Sequence, residues 1–399
     1  MSGRIVQEIR VGVDVGCHSH NVAIGLPDGH FLEEFEIPHT PDGFREFFSR
    51  IGKHEQKYNC NVAVAMEGYN GHARPLDTMV RVRNYQLYNI NNLKLARFKE
   101  IFPAAAKTDT IDARKALELF QLQDHLESAR GVLQEVQAIP VENAILKRLT
   151  RRRRSLVNEH VRIINSIQAD LRAVCPGLLE ITNSADNLWF LNFLTSTDSF
   201  KKIARLRYAT LLKIPGVGKR YAGIIQNWQT KAHFSHEVDW VGDMIQEDAL
   251  RVLDLHHKIK LLEKKCTQVA TNSALATLII SIPGFGPVCS STLAGEIGTG
   301  VRFSSEASLA LYLGMATLDK SSGNHKGSRS PKQVNTRAKA AMMIAVDRHR
   351  KYVPESTRYY LKKRLEGKAH NQAIRALGRH LCRVIFKMIK EERTYQIRN

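Results

Sequence analysis

Arg10-Val-Gly-Val-Asp-Val-Gly16 is the stretch that decides the fold class of the first part of the chain. Val11, Val13 and Val15 alternate with Gly12 and Asp14, the period-two pattern of a strand with one apolar face. A carboxylate in such a strand is costly to bury unless it is paired or bound to a cation. Asp14 is therefore the first candidate functional residue. Working outward, the alternation reads as one strand over Arg10–Ile24, with Pro27-Asp28-Gly29 as a turn into a second strand, Phe31–Ile37. A helix follows from about Asp42, carrying Phe44, Phe47, Phe48 and Ile51 at helical spacing. Strands at Val62–Met66 and Gln86–Ile90 flank a helix near Ala73–Val82. This order predicts an α/β domain over residues 1–118, a mixed sheet covered by helices.

Three further acids join Asp14 as candidates. Glu67 ends the Val62–Met66 strand, and Asp109 and Asp112 lie in Lys107-Thr-Asp-Thr-Ile-Asp-Ala-Arg114. Three residues apart on a helix, the last two share a face. Taken singly, Glu67 reads as a strand-end charge, Asp109 as an N-cap and Asp112 as an exposed helix residue. Together with Asp14 they make a hard-oxygen set suited to Mg²⁺, with Mn²⁺ as a substitute. Paired ions of that kind serve in-line phosphoryl displacement.

The middle of the chain, residues 119–273, reads as helical. Leu149, Leu156 and Ile163 recur every seven residues, with Ile145, His160 and Ile167 as a second seam. Ile245, Val252, Ile259 and Cys266 form another heptad series, and Leu255, Leu262 and Val269 run beside it. This is the pattern of a coiled coil or of a long antiparallel hairpin within one chain. The run Lys147-Arg148-Leu-Thr-Arg151-Arg152-Arg153-Arg154 wraps charge around the first of these helices, as a solvated face or a track for a phosphate backbone. Between the helices lies Ile214-Pro-Gly216-Val-Gly218-Lys219, and a near copy, Ile282-Pro-Gly284-Phe-Gly286-Pro287, follows the second. Such turns let backbone N–H groups approach a phosphate at the start of the next helix, although each alone is also an ordinary tight turn. The three tryptophans, Trp189, Trp228 and Trp240, read as core.

Residues 274–399 form a basic, mostly helical C-terminal region. The stretch Lys320-Ser-Ser-Gly-Asn-His-Lys-Gly-Ser-Arg-Ser-Pro331 is too rich in Gly and Ser to be the interior of an element. Its serines sit beside Gly323 with Lys326, Arg329 and Lys332 close by, so a serine there either attacks a phosphate or helps to bind one. Helices are expected around Thr336–Arg350 and Gln372–Lys390.

The charge agrees with this division. The 399 residues hold 59 Lys+Arg against 39 Asp+Glu, a formal net charge of +20. Residues 320–399 alone hold 21 basic and five acidic side chains, and so carry +16 of it. That concentration calls for a polyanionic partner, nucleic acid first. Hydrophobic residues at 43% and charged ones at 25% are globular proportions and exclude wholesale disorder. No apolar run reaches the length of a membrane span, and Met1-Ser-Gly-Arg4 lacks a signal-peptide core. Six scattered cysteines without a CxxC pair argue for a reducing, cytoplasmic setting and against a cysteine zinc site.

In order, Val-Gly-Val-Asp14, Met-Glu67-Gly, Lys-Thr-Asp109-Thr-Ile-Asp112-Ala-Arg, Ile-Pro-Gly-Phe-Gly-Pro followed by Ala-Gly-Glu-Ile-Gly, and Leu-Gly-Met followed by Ser-Ser322-Gly resemble the DEDD transposases of the insertion-sequence one-ten family. That family includes Piv-type DNA invertases and bridge-RNA-guided recombinases. The resemblance implies a RuvC-like, RNase H-type domain, a coiled-coil middle and a C-terminal transposase domain with a catalytic serine. It makes Asp14, Glu67, Asp109 and Asp112 the metal-binding acids. Ser322, directly before Gly323, best matches the family serine, with Ser321 as its adjacent competitor. The implied partners are double-stranded donor and target DNA, a structured guide RNA and further copies of the chain. Two features depart from the family pattern: the additional Ile214–Lys219 turn, and Gly68-Tyr69-Asn70 after Glu67 in place of Ala-Thr-Gly.

Three functions follow from these residues. The first is a recombinase acting through a serine–phosphate link with a metal site. The second is a RuvC-type metal-dependent endonuclease whose serine stretch only holds DNA. The third is a nucleic-acid scaffold whose acids are structural.

Overall fold

The computed structural model describes residues 8–67, 71–100, 109–123, 125, 132–322, 325–329, 331 and 334–396. The chain divides into two compact units, 1–138 and 139–399. In the first unit the elements run β1 (Glu8–Val15), β2 (Ser19–Gly25), β3 (Phe31–Pro38), α1 (Pro41–Tyr58), β4 (Asn61–Glu67), α2 (Arg74–Val82), β5 (Gln86–Ile90), α3 (Asn92–Lys99), α4 (Asp109–Leu122) and β6 (Leu133–Glu135). The described strands form one mixed sheet in the order β3-β2-β1-β4-β5-β6. β1 is parallel to β4 and antiparallel to β2, and β4 is parallel to β5.

The expected single strand over Arg10–Ile24 is two strands of a hairpin. The break falls at Gly16, where an added Cβ would lie 2.4 Å from the Ser19 carbonyl oxygen, so the chain turns too tightly for a side chain. The β1 alternation then divides the sheet into two faces. Val11 and Val13 join Val62, Val64 and Met66 of β4 and the phenylalanines of α1 in one core. The opposite face carries small residues, Gly12 on β1 and Ala63 and Ala65 on β4, and α4 lies against it. A Cβ on Gly12 would meet Leu117 N at 2.6 Å and Ala113 O at 2.7 Å. This glycine therefore sets how closely α4 approaches the sheet.

The second unit is mostly helical: α5 (Val141–Val174), α6 (Leu188–Leu194), α7 (Tyr208–Leu211), α8 (Lys219–Gln229), α9 (Val238–Ala270), α10 (Ala274–Ile280), α11 (Pro287–Ile297), α12 (Glu306–Tyr312), β7 (Leu318–Ser322), β8 (His325–Arg329), α13 (Thr336–Tyr352), α14 (Pro354–Leu365) and α15 (His370–Glu391). α5 and α9 lie side by side within one chain. The ion pairs Arg153–Glu263 and Glu159–Arg251, each at 2.6 Å, fix their direction as antiparallel. Ile245, Val252 and Leu255 are buried along this contact, as are Leu156, Ile163 and Ile167. Ile145 is 41% exposed, and its neighbour Leu146 is buried in its place, because the first turns of α5 pack on α11 instead of α9. There a Cβ on Gly295 would strike Lys147 N at 2.5 Å.

Two cores fill this unit, one around α5, α6, α8 and α9 and one around α10–α13 and α15. Trp189 and Trp228 belong to the first, whereas Trp240 is 56% exposed on α9, contrary to the expectation that it is core. The Gly/Ser-rich stretch is likewise not a loop throughout. β7 and β8 pair antiparallel from Leu318↔Arg329 to Ser322↔His325. Among the described residues no helix is long and apolar enough to cross a membrane.

Candidate active site

Arg10, Gly12 and Asp14 point to the α4 face of β1 in turn. The Arg10 guanidinium donates to Phe120 O at 2.9 Å and Gln121 O at 3.4 Å near the end of α4, and Gly12 touches Ala113 and Leu117 in its middle. α4 therefore runs opposite to β1. Asp14 lies about 6.7 Å beyond Gly12 along the strand, a distance α4 covers in about four to five residues. That brings Asp14 level with the first turn of α4, which opens at Asp109 and contains Asp112. Glu67 ends the neighbouring parallel strand, one residue beyond the Val13↔Met66 pairing and on the face of Ala63 and Ala65.

The side chains agree with this backbone placement. Lys99, at the end of α3, sits with Nζ 2.9 Å from Asp112 Oδ1 and 3.9 Å from Glu67 Oε2. Both carboxylates are partly buried. An ammonium group thus stands where carboxylates from β4 and α4 converge, and hard oxygen donors around a positive charge suit a divalent cation. Asp109 is described by its backbone only. Lys99 was not legible as part of this group, since nothing in Asn92–Lys99 marks one lysine over another.

The predicted nucleophile lies in the other unit. Ser322 is the last residue of β7 and pairs across the hairpin with His325, and Ser321 pairs with Lys326. Ser321, Ser322 and Lys326 are described by backbone only, and Lys332 lies outside the described residues. The base of the hairpin opens on a cavity of about 630 Å³ that Arg329 lines with Lys368, Arg375 and Arg379.

The Pro-Gly-x-Gly turns share one conformation. Gly216 (φ +82°) and Gly284 (φ +85°) are left-handed, and Gly218 and Gly286 are the extended N-caps of α8 and α11. Lys219 is exposed at the first turn of α8. The second turn is locked by α13: His349 Nδ1 donates to Pro283 O at 2.7 Å, and a Cβ on Gly284 would fall 2.4 Å from His349 N. Burial holds the His349 imidazole below its ordinary pKa.

The structure joins this turn to the arginine run. Arg151, Arg153 and Arg154 of α5 line a cavity of about 450 Å³ with Gly284, Gly286, and Arg337 and Arg348 of α13. Arg151 forms a two-pronged pair with the fully buried Glu296 carboxylate at 2.7 and 2.9 Å, and Asn335 Nδ2 donates to the same carboxylate at 2.7 Å. Burial pushes the Glu296 carboxyl up, but these bonds outweigh it and hold the group below its usual range. Burial and the Arg151 charge lower the Lys147 ammonium. Arg153 pairs with Glu263. Arg154, Arg337 and Arg348 pair with no carboxylate among the described residues, and Arg148 and Arg152 are exposed on α5. Arg337 and Arg348 were missed from the sequence because only the crossing of α13 over the Gly284 turn brings them to α5.

Acids gathered at strand ends under one helix, with arginines gathered at a glycine turn, are the equipment of a nucleic-acid-processing enzyme. A family model described as a transposase, of the DEDD IS110 type, matches residues 11–176, and one described as the transposase IS116/IS110/IS902 family matches residues 276–361. The chain belongs to this family of insertion-element transposases, a class that cuts and rejoins DNA. Among its relatives are the insertion element IS110 uncharacterized 43.6 kDa protein of Streptomyces coelicolor, 24% identical over 97% of this chain and 95% of the relative. Another is the insertion element IS900 uncharacterized 42 kDa protein of Mycobacterium paratuberculosis, 22% identical over 98% of both. Residues 177–275, with the first Pro-Gly-x-Gly turn, lie between the two matched regions.

Proposed function

We propose that this transposase cuts and rejoins DNA through a covalent serine–phosphate link formed by Ser322, with a structured guide RNA selecting donor and target. The first unit serves in this reading as a RuvC-like, RNase H-type domain in which Asp14, Glu67, Asp109 and Asp112 hold Mg²⁺. The observation that carries it is the meeting of Glu67 and Asp112 around the Lys99 ammonium, at the level where β1 places Asp14. The donor set fits the metal: aligned carboxylates on rigid strand ends and a helix, with a cation already between two of them. When bound, Mg²⁺ supplies charge stabilisation at phosphate oxygens.

The other steps fall to the chain itself. Ser322 Oγ forms a bond to phosphorus while a DNA ester oxygen departs as a hydroxyl, taking up a proton as the serine loses one. A second DNA hydroxyl then displaces the serine. Arg329, Lys368 and Arg375 at the hairpin base, and Arg154, Arg337 and Arg348 beside the Gly284 turn, are placed to bind phosphates. Arg148 and Arg152, exposed on the same helix, extend that track, Lys219 offers a separate phosphate contact at the start of α8, and Arg151 and Arg153 position α5 through Glu296 and Glu263. Assembly into a homo-oligomer brings serine and acids of different protomers together.

Strand exchange on element-end DNA tests the reading, with RNA co-purified with the protein retained. Asp14→Asn and Asp112→Asn should abolish exchange. Exchange at normal rates in either variant would overturn the metal assignment. A single structured RNA transcribed from the element's flank should dominate the bound fraction, and a random mixture would overturn guidance.

A further inference from the structure

A second convergence of ligating side chains lies in the helical middle, on residues that the transposase chemistry does not use. His160 from α5, His256 from α9 and Asp186 from the segment before α6 bring one ligand atom each to a common point. His160 Nε2 and His256 Nε2 are 3.3 Å apart, and both contact the same Asp186 oxygen, Oδ1, at 2.7 and 2.8 Å. The two rings meet edge to face with centroids 4.7 Å apart, so the Nε2 atoms converge without stacking.

The distances distinguish what fits. With Zn–N bonds of about 2.0–2.1 Å, two ligands of a tetrahedron stand about 3.3–3.4 Å apart. The two imidazole nitrogens already have that separation. The Asp186 oxygen is about half an ångström closer to each than a metal would leave it, the spacing of a carboxylate drawn in by hydrogen bonds. Withdrawing it is a small motion, because Asp186 is 40% exposed on a surface segment, whereas His160 is nearly buried on its helix. The segment itself is built. Thr182 Oγ1 donates to Ser184 O at 2.8 Å, Asn187 Nδ2 donates to Thr182 Oγ1 at 2.8 Å, and Asp186 N donates to Ser184 Oγ at 3.3 Å. The neighbouring carboxylate, Glu159, is already occupied by Arg251 at 2.6 Å.

We infer that His160, Asp186 and His256 form a binding site for one Zn²⁺-class ion, with a fourth position open to water. Two imidazoles and one carboxylate select borderline metals over Mg²⁺, so this site is chemically distinct from the all-carboxylate group on the first unit. The ion ties α5 to α9, 96 residues away in sequence, and pins to both the segment that leads into α6. Its role is a clamp on the long hairpin.

The test uses full-length protein stripped with chelator, incubated with Zn²⁺, desalted and assayed for bound metal, with a parallel Co²⁺ absorption spectrum. One Zn²⁺ per chain and the intense bands of four-coordinate Co²⁺ are expected in the wild type and in Asp14→Asn. Both should be lost in His256→Gln and in Asp186→Asn. Asp186→Asn is nearly isosteric on an exposed segment, so it keeps the test valid if His256→Gln fails to fold. Added Zn²⁺ should raise the melting temperature of the stripped wild type and not that of Asp186→Asn. No retained Zn²⁺ in the wild type, or equal retention in Asp186→Asn, overturns the site. Loss of Zn²⁺ in Asp14→Asn would instead place the metal on the acids of the first unit.

Discussion

Gly284→Ala should damage both the stability of the helical unit and its grip on nucleic acid. The residue is left-handed at φ +85°, where a side chain costs about 1–2 kcal/mol. The added Cβ would lie 2.4 Å from His349 N, 2.7 Å from His349 Cα and 2.8 Å from Arg348 C. These are backbone atoms of α13, so no rotamer relieves the clash and the helix must move. Overpacking of that kind costs about 1–3 kcal/mol. Together the two terms predict a loss of about 2–5 kcal/mol. Gly286→Ala, two residues on, is the control: its backbone is extended and nothing lies within 4 Å of the new Cβ, so the expected change is within about 0.5 kcal/mol. Urea unfolding of the two variants followed by far-UV circular dichroism compares them directly. Because α13 also carries Arg348 into the cavity, DNA affinity should fall in Gly284→Ala alone. A loss below about 1 kcal/mol in Gly284→Ala, or an equal loss in Gly286→Ala, would refute the packing argument.

Lys99→Met should strengthen Mn²⁺ binding several-fold in titration calorimetry, since the ammonium now neutralises Asp112 and Glu67; weaker binding would contradict that view of the acids. Arg154→Ala and Arg348→Ala should each flatten the dependence of log K for DNA on log salt by about one unit. Arg153→Ala, already paired with Glu263, should leave the slope nearly unchanged. His20 is fully buried with Nε2 2.8 Å from His39 Nδ1, and burial first, then the His39 and His72 charges, pushes it down to about 4. The unfolded chain takes up this proton at 6.5 and the folded chain does not, so stability present above pH 6.5 is lost as pH falls toward 4. The loss amounts to at most about 3 kcal/mol, and urea midpoints against pH should be flatter in His20→Gln.

Much of the first unit was legible because its pattern is local. Alternating valines, a phenylalanine-bearing helix and apolar runs ending in acids identify strands and helices without tertiary information. A single strand over Arg10–Ile24 is expected because apolar residues recur on both sides of the turn, whereas the polar run from Gly16 to Asn21 holds the break between β1 and β2. The β7–β8 hairpin was missed for the opposite reason. Its strands hold Lys, Ser, His and Gly, whose composition suggests a loop, although Gly-Asn between two short runs is itself a hairpin signal. Ile145 was assigned to the wrong face since a heptad count continues where α5 has already changed partners from α9 to α11. The site divided in the same way. The proposed acids Asp14, Glu67, Asp109 and Asp112 are candidates through motif and strand position alone. Lys99, Arg337, Arg348 and Glu296 depend on helix crossings that no local spacing encodes.

The most direct test of the proposed chemistry is to trap the covalent intermediate. Full-length protein with its RNA is incubated with Mg²⁺ and a nicked suicide DNA, and protein–DNA adducts are resolved under denaturing conditions and mapped by mass spectrometry. An adduct on Ser322 is expected in the wild type and in Ser321→Ala, and none in Ser322→Ala or Asp14→Asn. DNA cleavage without an adduct, undiminished in Ser322→Ala, would contradict serine chemistry and leave the chain a metal-dependent nuclease.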